Sequence, residues 1–227
     1  MVTNGYPLSS SKKTEILDLT SGESCKDLAD FPLEWSHGVG ANLNGIPVVC
    51  GGYDQVIQAW QANETCFKFT NGGFQAFASM KDPRESPAGV IYKNKFHIFG
   101  GFGSLDKLQS SELISIDGGV EDGPDLHVAV SSHAISSFNS SVSILSGGNT
   151  KATKSSPLTW YFNHETQAFS SGPSLLTGRM EHSSASCVDK VTQAKIFIVA
   201  GGHDGHTVYI GSTEMLINGI WQLGTIY

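Results

Sequence analysis

The chain has 227 residues, 39% of them hydrophobic and only 15% charged, with 26 glycines and a net charge of −7. That is enough apolar material for a sizeable core, so the chain is not disordered, and its acidic balance repels phosphate and argues against nucleic-acid binding. No apolar run approaches the roughly 18 residues of a membrane-spanning helix, and Met1–Leu19 holds no apolar stretch of signal-peptide length.

Along the chain, short apolar blocks rich in β-branched and aromatic residues alternate with turn residues. Val2-Thr3-Asn4-Gly5 is followed by Thr14-Glu15-Ile16-Leu17. The block IPVVC then precedes Gly51-Gly52, FHIF precedes Gly100-Gly101, VSILS precedes Gly147-Gly148 and IFIVA precedes Gly201-Gly202. These doublets are 49, 47 and 54 residues apart. Ser111-Glu112-Leu113-Ile114 and Thr213-Glu214-Met215-Leu216 repeat the signature of residues 14–17, so Asn4-Gly5 reads as a worn doublet. Gly72-Gly73 and Gly118-Gly119 have no apolar block before them and read as hairpin turns. Gly123-Pro124-Asp125-Leu126 and Gly172-Pro173-Ser174-Leu175 are equivalent turns between units. His37, Ser86 and His133 stand fourteen residues before their doublets, and His182 stands nineteen before its own, with the extra residues placed around Val188–Ala194.

Each unit therefore predicts four short strands. The clearest is Pro87–Tyr92, Lys95–Phe99, Glu112–Ile116 and a strand near Val120. No segment holds a 3.6-residue apolar period over three turns, so the fold class is all-β. A period near 50 residues with four strands per unit is a β-propeller pattern. The doublets after apolar strands, Arg84 and Arg179 before first strands, the Ser-Glu signature, and Phe74, Phe169 and Trp221 at the usual tryptophan position together resemble the kelch family. The resemblance implies a single kelch-type β-propeller domain over residues 1–227: a partial N-terminal blade at 1–33, then four complete four-stranded blades at 34–82, 83–127, 128–176 and 177–227. Four blades and a fraction leave three arrangements open. These are part of a six-bladed ring, which is the arrangement we expect, a five-bladed ring lacking one strand, or an open array pairing with another chain.

The glycines of the doublets, Gly51, Gly52, Gly100, Gly101, Gly147, Gly148, Gly201 and Gly202, are expected at tight structural turns, because the phosphate-loop string GxxxxGK[ST] is absent. His203-Asp204-Gly205-His206 has the look of a metal-binding fragment but lacks a third ligand, and loop residues are ordinary after a doublet. No GxSxG elbow occurs. Kelch repeats also occur in galactose-oxidase-like copper enzymes and sugar isomerases, yet the eight His and six Tyr show no matching arrangement. We therefore expect no cofactor, no metal and no catalytic residue. The resemblance implies a protein-interaction module, with a kelch-type enzyme or a structural extracellular protein as the alternatives, and its contacts come from two repeat positions. One is the residue after each doublet: Tyr6, Tyr53, Phe102, Asn149 and His203. The other opens the first strand: His37, Ser86, His133 and His182, with Arg84 close enough to reach the same rim. This set is aromatic and imidazole-rich, which suits an uncharged or apolar peptide better than an acidic one.

Cys50 ends a second strand and Cys66 lies in the third strand, Thr65–Phe69, so the two are placed on antiparallel neighbours where they can bond; two buried thiols are the alternative. A bond leans the protein toward an oxidising, extracellular setting, with the cytosol as the alternative.

Overall fold

The computed structural model describes residues 2–3, 12–17, 20–22, 24–25, 28–54 and 61–224. Every regular element among them is a β-strand, as the all-β reading requires, and none is a helix able to cross a membrane. Four antiparallel sheets follow one another, each built from four strands consecutive within it. The first contains Val39–Leu43, Ile46–Cys50, Thr65–Thr70 and Gly73–Ser79. The second contains Ala88–Tyr92, Lys95–Phe99, Ser111–Ile114 and Val120–Asp122. The third contains Ala134–Ser137, Val142–Ser146, Thr159–Asn163 and Ala168–Ser171. The fourth contains Ser183–Val188, Lys195–Ala200, Thr213–Ile217 and Ile220–Leu223. A three-stranded sheet of Val2–Thr3, Thr14–Leu17 and Ser24–Cys25 precedes them.

Turn chemistry fixes the registers. Asn44-Gly45, Asn71-Gly72, Lys93-Asn94 and Asn218-Gly219 each form a two-residue loop with both φ angles positive. That geometry matches the twist of the flanking strands, and Asn and Gly tolerate it best. The third strand of the second sheet stops at Ile114, short of the expected Ile116, because Ser115 begins a tight turn closed by its amide on Gly119 and by Gly118 on Ser115.

Each second strand ends at a glycine doublet. At Gly100-Gly101 φ is +56° and +101°, and a Cβ on Gly100 would collide with the carbonyl oxygen of Val130. Both the backbone angle and the close approach demand glycine. Gly52 N–H donates to Arg84 O, Gly101 N–H to Val130 O and Gly148 N–H to Arg179 O, so the first three doublets each grip the loop that opens the next sheet. A second row of bonds runs from Ser86 N–H to His37 O, from Ser132 N–H to Ser86 O and from Glu181 N–H to Ser132 O.

The hydrophobic core lies between sheets. Val48, Phe96, Ile98 and Ile114 join the first to the second. Val90, Phe99, Leu145, Trp160 and Phe162 join the second to the third, and Ile144, Phe197, Val199, Leu216 and Trp221 join the third to the fourth. The first strands of successive sheets lie side by side. About five large side chains per junction at ~2 kcal/mol each outweigh a few backbone hydrogen bonds at ~1 kcal/mol. Apolar burial therefore holds the sheets together and the hydrogen bonds set their relative register.

One polar feature recurs inside this core. Arg84 and Glu112 are buried and paired at 2.8 Å, and Arg179 and Glu214 likewise at 2.6 Å. Arg84 also donates to Gly100 O and Ser110 O, while Glu112 accepts from the amides of Lys81 and Asp82. Arg179 donates to Gly201 O and Ser212 O, and Glu214 accepts from Leu176 and Thr177. The same positions in the first and third sheets are apolar. Trp35 meets Phe67 edge-to-face at 5.5 Å, and Val130 shares a cluster with Trp160. Both solutions fill a buried site, the ionic one with each charge held by its partner and by backbone groups, although Arg179 Nε finds no partner among the described residues.

Cys50 and Cys66 face each other across the first sheet and form a disulfide, with Cα atoms 4.1 Å apart. The two-thiol alternative is thereby set aside.

Candidate functional site

The residue after each doublet has one structural role in four units. Tyr53 pairs with Ser36, Phe102 with Glu85, Asn149 with Ser131 and His203 with Met180, each folding back on the segment before its own first strand. Identical pairing puts these four residues in equivalent places, with Phe102 37% exposed and the other three half-buried. Tyr6, the fifth member expected, lies outside the described residues. Lys107 stands 5.9 Å above the Phe102 ring, and Lys107 N–H takes its loop acceptor from Asp106.

The second expected set does not assemble as the spacing suggested. The hydrogen-bonded row places Ser132 and Glu181, not His133 and His182, in line with His37 and Ser86. All four row members have positive φ: His37 +58°, Ser86 +49°, Ser132 +55° and Glu181 +55°. The reason is hairpin length. Relative to the first two sheets, the first hairpin of the third carries one extra residue and that of the fourth carries six, so counts of fourteen and nineteen back from the doublet each stop one residue short. His37 is exposed and Ser86 half-buried, whereas His133 and His182 are 6% and 7% exposed and pack under the doublets. His182 Nε2 lies 2.9 Å from Ser146 Oγ. The matching position before the Gly100 doublet is Phe99, and neither ring nitrogen of His133 finds a partner among the described residues. Burial pushes both imidazoles down to about 3, so both are neutral. Arg84 does not reach the rim either: it is fully enclosed by Glu112 and the carbonyls described above.

What occupies the rim instead is a pair of carboxylates that the sequence reading passed over. Glu181 Oε2 is 3.2 Å from His203 Nε2, and His203 Nδ1 accepts the amide of Gly205. Half-buried Glu85 has its carboxyl pushed up by desolvation, with His37 pulling it down and Glu181 pushing it up further. Glu85 thus feels the charges of His37 from the first unit and Glu181 from the fourth. Their signal in the sequence is adjacency, since each carboxylate stands within one residue of a position already singled out.

Just beyond Asn149 the surface opens into a cavity of about 410 Å³ between the second and third sheets. Val128, Ala129, Pro157 and Leu158 give it apolar walls, and Gln109 and Thr150 supply polar edges. The Thr150–Thr153 loop on its rim is held by Thr150 N–H on Thr153 O and by Thr153 N–H on Thr150 Oγ1. The volume falls within the range of small-ligand pockets, and it is large enough for a bulky side chain of a bound peptide. Asp204 of the His203–His206 stretch turns inward on its own loop, accepting the amides of His206 and Val208.

No protein-family model matches the chain, and no curated protein matches it significantly.

Proposed function

We propose that the protein is a non-enzymatic interaction module of kelch-type β-propeller architecture that binds a peptide segment of a protein partner on the face formed by its post-doublet loops. The observation that carries this reading is the equivalence of Tyr53, Phe102, Asn149 and His203, fixed by one backbone pairing in four units and bordered by an apolar cavity. A rigid sheet array that presents matched loops on one side suits recognition. The serial four-stranded sheets, each ending its second strand at a glycine doublet, support the propeller and kelch assignment. Glu85 and Glu181 extend the expected preference. The bound segment carries an aromatic or aliphatic anchor for the cavity and is neutral or basic, since an acidic one would meet like charge. The Cys50–Cys66 bond fits an oxidising environment, which supports an extracellular setting.

Selection of a displayed random-peptide library against the full chain tests this reading. Enriched peptides should carry an apolar anchor, and Phe102→Ala combined with Leu158→Asp should weaken them at least tenfold without changing the melting temperature. Peptides that bind this folded double variant as tightly as the parent would place recognition elsewhere.

A further inference from the structure

The fourth sheet has one buried face and one bare face. Phe197, Val199, Leu216 and Trp221 pack against the third sheet. On the opposite face Cys187, Ile196, Ile198, Ala200, Met215 and Ile217 lie in register across three strands, each exposed or half-buried, and none is charged.

The three preceding sheets show what such a face carries. Val48, His97 and Ile144 hold the position of Ile198, three residues before the doublet, and are 1%, 0% and 1% exposed. Cys50, Phe99 and Ser146 hold the position of Ala200 and are all 0% exposed. In every case the next sheet does the covering. Ala200 itself is exposed and Ile198 only half-buried. The doublets agree. A Cβ on Gly51, Gly100 or Gly147 would run into the backbone carbonyl of Arg84, Val130 or Arg179, the opening loop of the following sheet, whereas a Cβ on Gly201 would meet nothing within 4 Å. The row of hydrogen bonds tells the same story, since His37, Ser86 and Ser132 each give a carbonyl to the next unit and Glu181 ends the series.

We propose that the bare face of the fourth sheet is the seat of a further four-stranded unit of the same repeat, joined in chain order. Its opening loop sets a backbone carbonyl over Gly201, and its uncharged apolar face covers Ile198 and Ala200. The chemistry of the seat selects this occupant. It offers no charge for a polar partner, and its unfilled positions are those that a following unit fills three times elsewhere in the molecule. This inference is independent of what the loop face binds.

Spacing supplies the test. Leu126 and Leu175 stand three residues after Gly123 and Gly172, whose amides bond Ser111 O and Thr159 O as Gly224 bonds Thr213 O; in sequence Tyr227 stands three after Gly224. A second copy of residues 81–126, or of 127–175, fused directly after Tyr227 therefore continues the register. In a full chain carrying Cys187→Ser and Ala200→Cys, the thiol introduced at position 200 should react with iodoacetamide like an exposed thiol, and the chain should be monomeric by light scattering. Either extension should slow that reaction at least tenfold, read by peptide mass mapping. Two extensions of different sequence keep the result independent of whether one of them folds. An undiminished rate in both overturns the proposal. So does an unextended chain that is already dimeric with the thiol protected, because a second copy would then be the occupant.

Discussion

At the scale of single residues, the buried Arg–Glu pairs were half legible. Arg84, Arg179 and the Ser-Glu signature stand out as repeated features, but their pairing does not, because partners 28 and 35 residues apart give no local periodicity. Arg84→Ala leaves Glu112 charged, buried and short of its main partner, and should cost roughly 3–5 kcal/mol in denaturant unfolding. Grafting the third-sheet solution, Arg84→Val with Glu112→Trp, should lose clearly less than the sum of the two single changes; strict additivity would mean that the pair does not interact. The buried imidazoles set a pH dependence. His97, His133 and His182 are held down to about 3 and His164 to about 4, each chiefly by burial. The unfolded chain takes up protons near 6.5 and the folded chain refuses them. Stability is therefore fully present above about pH 6.5 and declines as the pH falls toward 4, by roughly 1.4 kcal/mol per pH unit for each ring. The unfolding midpoint should drop between pH 7.5 and pH 5, and a flat profile across that interval would show that the rings protonate inside the fold.

Strands were the most readable elements. The apolar blocks before the doublets became second strands because β-branched runs bounded by Asn, Gly and Pro have no competing helical period. Register was less readable, since it depends on how many residues each hairpin holds and the third and fourth sheets depart from the first two. The one-residue shift that moved His133 inward is such a case. A strand alternates its faces, so a miscount of one exchanges a surface residue for a core residue. Within the first sheet the disulfide closes a 16-residue separation across neighbouring strands. Cys50→Ala with Cys66→Ala should lower stability by about 3 kcal/mol through the freed chain entropy of the unfolded state. A midpoint unchanged by this double substitution would show that the sheet is determined without the bond.

For the whole molecule, sequence periodicity revealed serial sheets because every unit repeats its doublet. It could not reveal the rim carboxylates or the cavity, which arise only where neighbouring units meet. The alternation of buried pairs along the array has a thermal consequence. Hydration of charged groups becomes less favourable on warming, so the desolvation cost borne by Arg84–Glu112 and Arg179–Glu214 shrinks with temperature. Apolar burial weakens on cooling, so Trp35–Phe67 and Val130–Trp160 lose strength in the cold. The second and fourth sheets thus gain relative to the first and third as temperature rises, and the array meets heat and cold with different units.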